Sequence, residues 1–463
     1  MSERRDLVVI GGGSGGFAAA IRAAQLGGQV TVVEEAHVGG KCMNHNCIPL
    51  TFLMTAARRM NAVQQAGHFG IQVGEPELDV DAMHDEKDLV VMGLRMGTKE
   101  QLLDYGIELI DGRGELTAVD TVRVSGGKED GEIKARNVIV ATGAVQAQLP
   151  IEGADLPGVI GTKEADALRE IPPRVVIIGN QAWDIELAQY FNWIGSHVTL
   201  ITPSRQLIPE ADREISQRVA KLLHDSGVDV KRGVEVGAIL EGNDGSLVVV
   251  VAEGKGEVNA EKVVAARHLP NSAGLGLREL GVEMEHGAVV VDKRMQTNLP
   301  HLYAIGDVTA GPMWSHKANA EGLVAAENAM GVHSAIDHET MPRCFHTSPS
   351  VAWVGLTQDQ AEDRGMEVEI GKVPVAINPY AMILNQTDGA IKIIAGKRYG
   401  RILGVHMMGP GALDLINVAA VAMLSEATVD ELMRFIPAHP SIGEALVDAA
   451  MDVEKRSLHL PKW

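Results

Sequence analysis

Cysteine is scarce, with three in 463 residues. That excludes a small secreted scaffold held together by disulfides. Aromatic residues make up only 3% of the chain. No uninterrupted apolar run is long enough to span a bilayer, and residues 1–6 lead into a strand without a signal peptide. Basic residues are in deficit, 41 Lys and Arg against 61 Asp and Glu, for a net charge of −20. A nucleic-acid surface needs the opposite balance. These absences predict a cytoplasmic protein with no membrane or nucleic-acid partner. What is plentiful is glycine, 51 residues, in a chain 46% hydrophobic and 22% charged. That suits an α/β protein with many tight turns, and the length predicts two to four domains.

Two of the three cysteines stand together in V-G-G-K-C-M-N-H-N-C-I-P-L, at Cys42 and Cys47. Thiols at this spacing can close a small disulfide at a helix start, strained and exposed enough to be a redox couple. The alternatives are two packed core thiols or half of a metal site. A metal needs further N or S ligands, and His45 is the only one nearby. The reading is therefore a redox pair and no metal.

Upstream, a short apolar run at residues 7–10 ends in Gly11-Gly12-Gly13-Ser14-Gly15-Gly16. An Ala-rich helical stretch follows to residue 26, then a strand at 30–33 ending at Glu34. Gly11, Gly13 and Gly16 permit a tight turn and close approach to a pyrophosphate, and the helix start supplies N–H donors. Glu34 is placed to accept from ribose hydroxyls. Downstream, helices are expected at 51–65 and 79–105, strands at 106–124 and 138–140, and a linker at 150–158. A second strand–turn–helix unit begins at 175–178. From residue 341 the pattern changes to strands with helices on one side.

The stretch G-G-K-C-M-N-H-N-C-I-P resembles the signature of the pyridine nucleotide–disulfide oxidoreductases, the family that includes dihydrolipoamide dehydrogenase. Further matches run nearly to the C-terminus. The resemblance implies an α/β chain of two doubly wound Rossmann-like domains, glutathione reductase-like, plus a C-terminal α+β dimerisation domain. The expected boundaries are 1–149 and 273–340 for the FAD domain, 150–272 for an NAD-binding-like domain and 341–463 for dimerisation. Cys42 would be the interchange thiol and Cys47 the thiol against the flavin. Because the pair follows Glu34 within one loop, the first nucleotide is expected to be FAD. Gly40, Lys41, Gly114, Ala141-Thr142-Gly143, Gly306-Asp307, Met313 and His316 would join the first glycine turn around it. Pro437-Ala438-His439-Pro440-Ser441-Ile442-Gly443-Glu444 resembles the family's H-A-H-P-T-x-x-E, in which His439 takes and returns the thiol proton in the other subunit and Glu444 orients it. The implied partners are a second copy of the chain and a dithiol, either a small molecule or a lipoyl-bearing protein.

The chain departs from the family pattern at four places. Where that pattern has G-x-G-x-x-G-x-E, this chain reads Gly179-Asn180-Gln181-Ala182-Trp183-Asp184-Ile185-Glu186. Only Gly179 and Glu186 remain of that second nucleotide motif. Thr202 replaces a ribose-binding acid, and Arg267 a further glycine. The resemblance implies NAD as the acceptor, yet these changes predict poor binding of NADH and NADPH. Thr51 also stands where a lysine normally pairs with the residue at 186, leaving Glu186 protonated, paired elsewhere or hydrated. Cys344 is expected to be a buried, inert thiol. The leading function is a dihydrolipoamide dehydrogenase-like flavoenzyme. Its rivals are the same thiol–flavin core serving a ferredoxin or other redox protein, and a non-catalytic FAD-bearing assembly subunit.

Overall fold

The computed structural model describes residues 4–127 and 130–461. The chain divides into two compact units. Met1–Pro49, His84–Gln148 and Ala266–His338 form the first; Leu50–Met83, Leu149–Ala265 and Glu339–Trp463 form the second.

In the first unit, Arg5–Ile10 (β1) leads through the glycine turn into Ser14–Gln25 (α1) and Val30–Glu34 (β2). Leu7, Val8 and Val9 of β1 are fully buried, as a parallel strand covered on both faces requires. Gly40–His45 (α2) follows, then Cys47–Gln64 (α3), most of which belongs to the second unit, and the long helix Val80–Asp104 (α4), most of which belongs to the first. Glu108–Asp111 (β3), Arg113–Ala118 (β4), Thr121–Ser125 (β5) and Gly131–Val140 (β6) complete the sheet with Leu302–Ala304. The order is β3-β2-β1-β6-β5-β4, with Leu302–Ala304 parallel to β6. β1 is parallel to both neighbours, β2 and β6. The connections diverge there, and the crevice at the carboxyl end of β1 is where such sheets take ligands. The turns after β1, β6 and Leu302–Ala304 all leave at that edge.

The helix expected over 79–105 is α4. The strands expected over 106–124 are three short ones, β3, β4 and β5. Gly112, at φ +149°, ends the first, and a hairpin at 119–120 separates the other two.

The second unit holds another parallel sheet. Its strand His197–Thr202 lies between Asp229–Arg232 and Arg174–Ile178, and the last pairs with the start of Lys262–Pro270. The helix Ala182–Trp193 connects Arg174–Ile178 to His197–Thr202. The stretch 150–158 is no free linker, because Ile239 N–H donates to Glu152 O at 2.8 Å and tacks it to a strand. After residue 341 comes a five-stranded sheet, with Ser350–Gly355 and Ile402–Gly409 at its centre. Val354, Val405 and Met407 pack there with Leu446 and Ala449 of the helix Gly443–Val453. A Cβ at Gly371 would collide with Ala449 O, so this glycine lets the helix lie directly on the sheet.

Candidate active site

The glycine turn after β1 is held by its surroundings. A Cβ on Gly11, at φ +105°, would collide with Ala141 O of the turn after β6. Gly16 could not carry a Cβ either, because it would strike Gly11 O. Gly12 N–H donates to Glu34 Oε2 at 2.6 Å, and Ala36 N–H to Glu34 Oε1 at 2.8 Å. Burial raises the Glu34 carboxyl above its ordinary range, against these two donors. Thr142 Oγ1 donates to Asn271 O at 2.7 Å, which braces the Ala141-Thr142-Gly143 turn.

The N-terminus of α1 suits the pyrophosphate of a dinucleotide. Gly13 caps it without a side chain, and its first turn carries no acid. The nearest atom to a Cβ on Gly13 would be Gly40 Cα, 3.8 Å away. The donors there are left for an anion. With Glu34 at the end of β2, these residues fit FAD.

The thiol pair lies in the same unit. Gly39 N–H donates to Gly12 O at 2.8 Å and pins the start of α2 to the glycine turn. Gly40 presses on Gly13 so closely that its Cβ would stand 2.7 Å from Gly13 Cα. Asn44 Nδ2 donates to Val38 O and Gly40 O at 3.1 and 2.7 Å, while Arg95 of α4 donates to Asn44 Oδ1 at 2.9 Å. These braces fix Cys42 inside α2, and Cys47 opens α3 after the break at Asn46.

Cys42, Cys47 and Cys344 are all free thiols. A dithiol is one of the two forms that a redox couple at Cys42 and Cys47 takes. Hydrogen bonding to Cys47 holds Cys42 down to about 7, against burial, with smaller help from Ser315 and Ser14. Ser315 Oγ lies 3.8 Å from Cys47 Sγ. Burial brings Lys41 down to about 8, while the charges of Asp307 and Cys47 pull it back up. A cation thus faces both the pair and the Gly306-Asp307 turn. Burial raises Asp307, with Lys41 and Lys317 opposing. The turn is locked from below, since Gly306 N–H donates to Glu321 Oε2 at 2.7 Å and Lys317 pairs with Glu321 at 3.3 Å.

The remaining residues expected around the flavin are placed as follows. Met313 precedes the Ser315–Ala329 helix, and exposed His316 stacks with Trp314 at 5.7 Å between ring centroids. Gly114 on β4 packs against Ile10, whose Cγ2 would be 2.9 Å from a Cβ. It serves the close packing beneath the turn.

In the second unit, Glu186 is buried and not left without a partner. Its Oε1 accepts His346 N–H at 2.7 Å, and the carbonyl of that same residue accepts from Arg58 at 3.1 Å. Arg58 stands on α3 seven residues after Thr51, two turns along the same face. Burial raises Glu186 to about 7, with His346 N–H and the Arg58 charge opposing. Arg58 acts on Glu186 through its charge, and both hydrogen-bond to His346 rather than to each other. Cys344, near Glu186, is half-buried where a buried thiol was expected, and burial pushes it up to about 11.

Gly179 precedes the Ala182–Trp193 helix, whose first turn is unlike that of α1. Gln181 N–H donates to Asp184 Oδ2 at 2.9 Å, and Asp184 is 3% exposed. Gln181 itself is exposed. At the end of His197–Thr202, Thr202 is buried and accepts Ser204 N–H at 3.2 Å. It supplies no counterpart to Glu34.

His439 lies before the Gly443–Val453 helix, exposed on its loop. Its Nδ1 stands 2.8 Å from Glu444 Oε1, and Glu444 Oε2 accepts Ser441 N–H at 3.0 Å. The His439 contact, then Ser441 N–H, holds the Glu444 carboxyl below its usual range. Nδ1 is engaged, which directs Nε2 outward.

Comparison with known proteins agrees with this arrangement. The family described as pyridine nucleotide-disulphide oxidoreductase matches residues 5–322, and its dimerisation domain matches 341–450. Mitochondrial dihydrolipoyl dehydrogenase of Pisum sativum is 34% identical, over 99% of this chain and 93% of its own. Dihydrolipoyl dehydrogenase of Thermus scotoductus is 36% identical over 98% of both. The solved structure of the HOCl-induced flavoprotein disulfide reductase RclA from Escherichia coli superposes with a TM-score of 0.85 at 28% identity, covering 96% of this chain and 98% of that one. The dimerisation-domain match supports a homodimer. No described helix is long and apolar enough to cross a membrane. The chain belongs to the pyridine nucleotide-disulphide oxidoreductase family and is a flavin disulfide oxidoreductase that uses FAD.

Proposed function

We propose that the enzyme oxidises a dihydrolipoyl-type dithiol at Cys42 and Cys47, with His439 of the partner subunit as the proton acceptor. The observation that carries this reading is the thiol pair itself, hydrogen-bonded together and pinned against the FAD turn. Its low Cys42 value supports a thiol that ionises near neutral pH, as exchange requires.

The exchange balances as follows. His439 takes the proton of one substrate thiol, and that sulfur attacks Cys42 Sγ of the oxidised pair. The Cys42–Cys47 bond breaks, leaving Cys47 as a thiolate. The second substrate thiol then attacks the first substrate sulfur and passes its proton to the departing Cys42 sulfur. A cyclic substrate disulfide leaves, and Cys42 is released as a thiol. Two electrons have passed from substrate to the pair. Glu444 steadies the imidazolium formed on the way. FAD, when bound, supplies the two-electron acceptor that re-oxidises the pair.

Gly11, Gly13, Gly16, Glu34, Gly40 and the turns at Ala141-Thr142-Gly143 and Gly306-Asp307 would hold FAD. The pair, His439 and Glu444 together weigh against an assembly subunit without chemistry. The test is anaerobic titration with dihydrolipoamide. Wild type should lose flavin absorbance and Cys42→Ser should not. A wild-type flavin that stays oxidised under excess dithiol would end this reading.

A further inference from the structure

The fold contains two strand–turn–helix units of the kind that take a dinucleotide, and their helix starts differ. The β1–α1–β2 unit opens on Gly13, with no side-chain cap and no acid in the first turn. The Arg174–Ile178 to His197–Thr202 unit opens on Gln181, and the third helical residue is Asp184. A dinucleotide places its pyrophosphate at such a helix start, on the backbone N–H groups of the first turn.

In the second unit the donors of the turn that leads into the helix are engaged internally. Gln181 N–H donates to Asp184 Oδ2 at 2.9 Å. Asn180 N–H acts on the same carboxyl. The side chain fills the space above the turn, since a Cβ on Gly179 would collide with Asp184 Oδ2. It is 3% exposed, so it belongs to the interior and is not a surface acid swinging past the turn. Asp184 meets the helix end as a capping carboxylate does, and where the first unit leaves room for a ligand's anion.

We infer that Asp184 is the built-in occupant of the second nucleotide cradle and determines acceptor specificity by excluding a dinucleotide pyrophosphate from it. On the thiol–flavin reading above, the electrons then leave to an acceptor that does not use this cradle. The exclusion does not depend on charge alone. An ionised Asp184 repels phosphate, and a protonated one still fills the turn and keeps the N–H donors. Burial raises this carboxyl to about 7, against the Gln181 and Asn180 donors, so both forms exist near neutral pH. Thr202 adds to the effect by offering no acid for a ribose diol.

The test is equilibrium dialysis of the FAD-loaded protein against radiolabelled NADH. Wild type should show no saturable binding below millimolar concentration. Asp184→Gly should bind at least tenfold tighter, and Asp184→Ala, which keeps a good helix former, should gain in the same direction if the glycine variant does not fold. Asp184→Asn should remain with wild type, because its amide oxygen can still accept Gln181 N–H. Micromolar binding by wild type, or no gain in a folded glycine or alanine variant, would overturn the inference. An equal gain in the asparagine variant would also overturn it, since charge and not occupancy would then be the barrier. Dihydrolipoamide titration of the same preparations reports separately on the thiol reading. Its failure alone leaves the Asp184 result standing.

Discussion

Arg58 and Glu186 hold opposite ends of one peptide residue: Arg58 donates to His346 O at 3.1 Å, and His346 N–H donates to Glu186 Oε1 at 2.7 Å. The arrangement keeps a buried carboxyl hydrogen-bonded and near a cation, yet burial still dominates and raises Glu186 to about 7.

That shift has a definite sign in stability. A carboxyl whose folded value lies above its unfolded one stabilises the fold below the ordinary carboxylate range. The contribution is lost as pH rises from about 4.5 through about 7. The loss is on the order of 3 kcal/mol. Glu186→Gln keeps the acceptor for His346 N–H and removes the titration. Thermal midpoints at pH 5 and pH 8 should therefore fall further in wild type than in this variant. Equal falls would show that Glu186 ionises without cost.

The thiols should separate by reactivity. Cys42 is held near 7, first by Cys47, whereas burial pushes Cys344 up to about 11. In the reduced enzyme, iodoacetamide should label the pair with a midpoint near pH 7 and leave Cys344 unmodified, as read by peptide mass spectrometry. Lys41 faces Cys47 as a cation, so Lys41→Met should raise the pair's midpoint by about one unit and Lys41→Arg should restore it. An unchanged midpoint in Lys41→Met would remove Lys41 from the chemistry of the pair.

Loss of the outward-facing imidazole should act on exchange. His439→Ala should slow dithiol-driven reduction by roughly 10²–10⁴-fold, the usual range for a lost general base. Mixing inactive Cys42→Ser and His439→Ala chains should restore one working site in each mixed dimer. Mixed dimers that stay inactive would rule out sites shared between subunits.

The parts legible in sequence were those where chemistry forces a local pattern. Gly11 and Gly16 have no room for a Cβ, and Glu34 must end a strand to meet Gly12 N–H, so spacing alone announces them. The Cys42 and Cys47 spacing and the His439–Glu444 interval belong to the same kind. What stayed hidden depends on contacts distant in sequence. Arg58 meets His346 across 288 positions, and Asn44 is fixed by Arg95 across 51. Asp184 was visible as an acid at a helix start, but its role as an internal cap follows only from where its carboxylate lies. The three-strand split over 108–125 falls at Gly112 and at the hairpin containing Asp120.

The central claim is that the thiol half of the reaction is intact while the nicotinamide half is closed. Stopped-flow absorbance of the oxidised, FAD-loaded enzyme tests it, with anaerobic dihydrolipoamide and NADH supplied separately. The account predicts prompt flavin reduction by the dithiol, and slow or no reduction by millimolar NADH. Rapid reduction by micromolar NADH would contradict it.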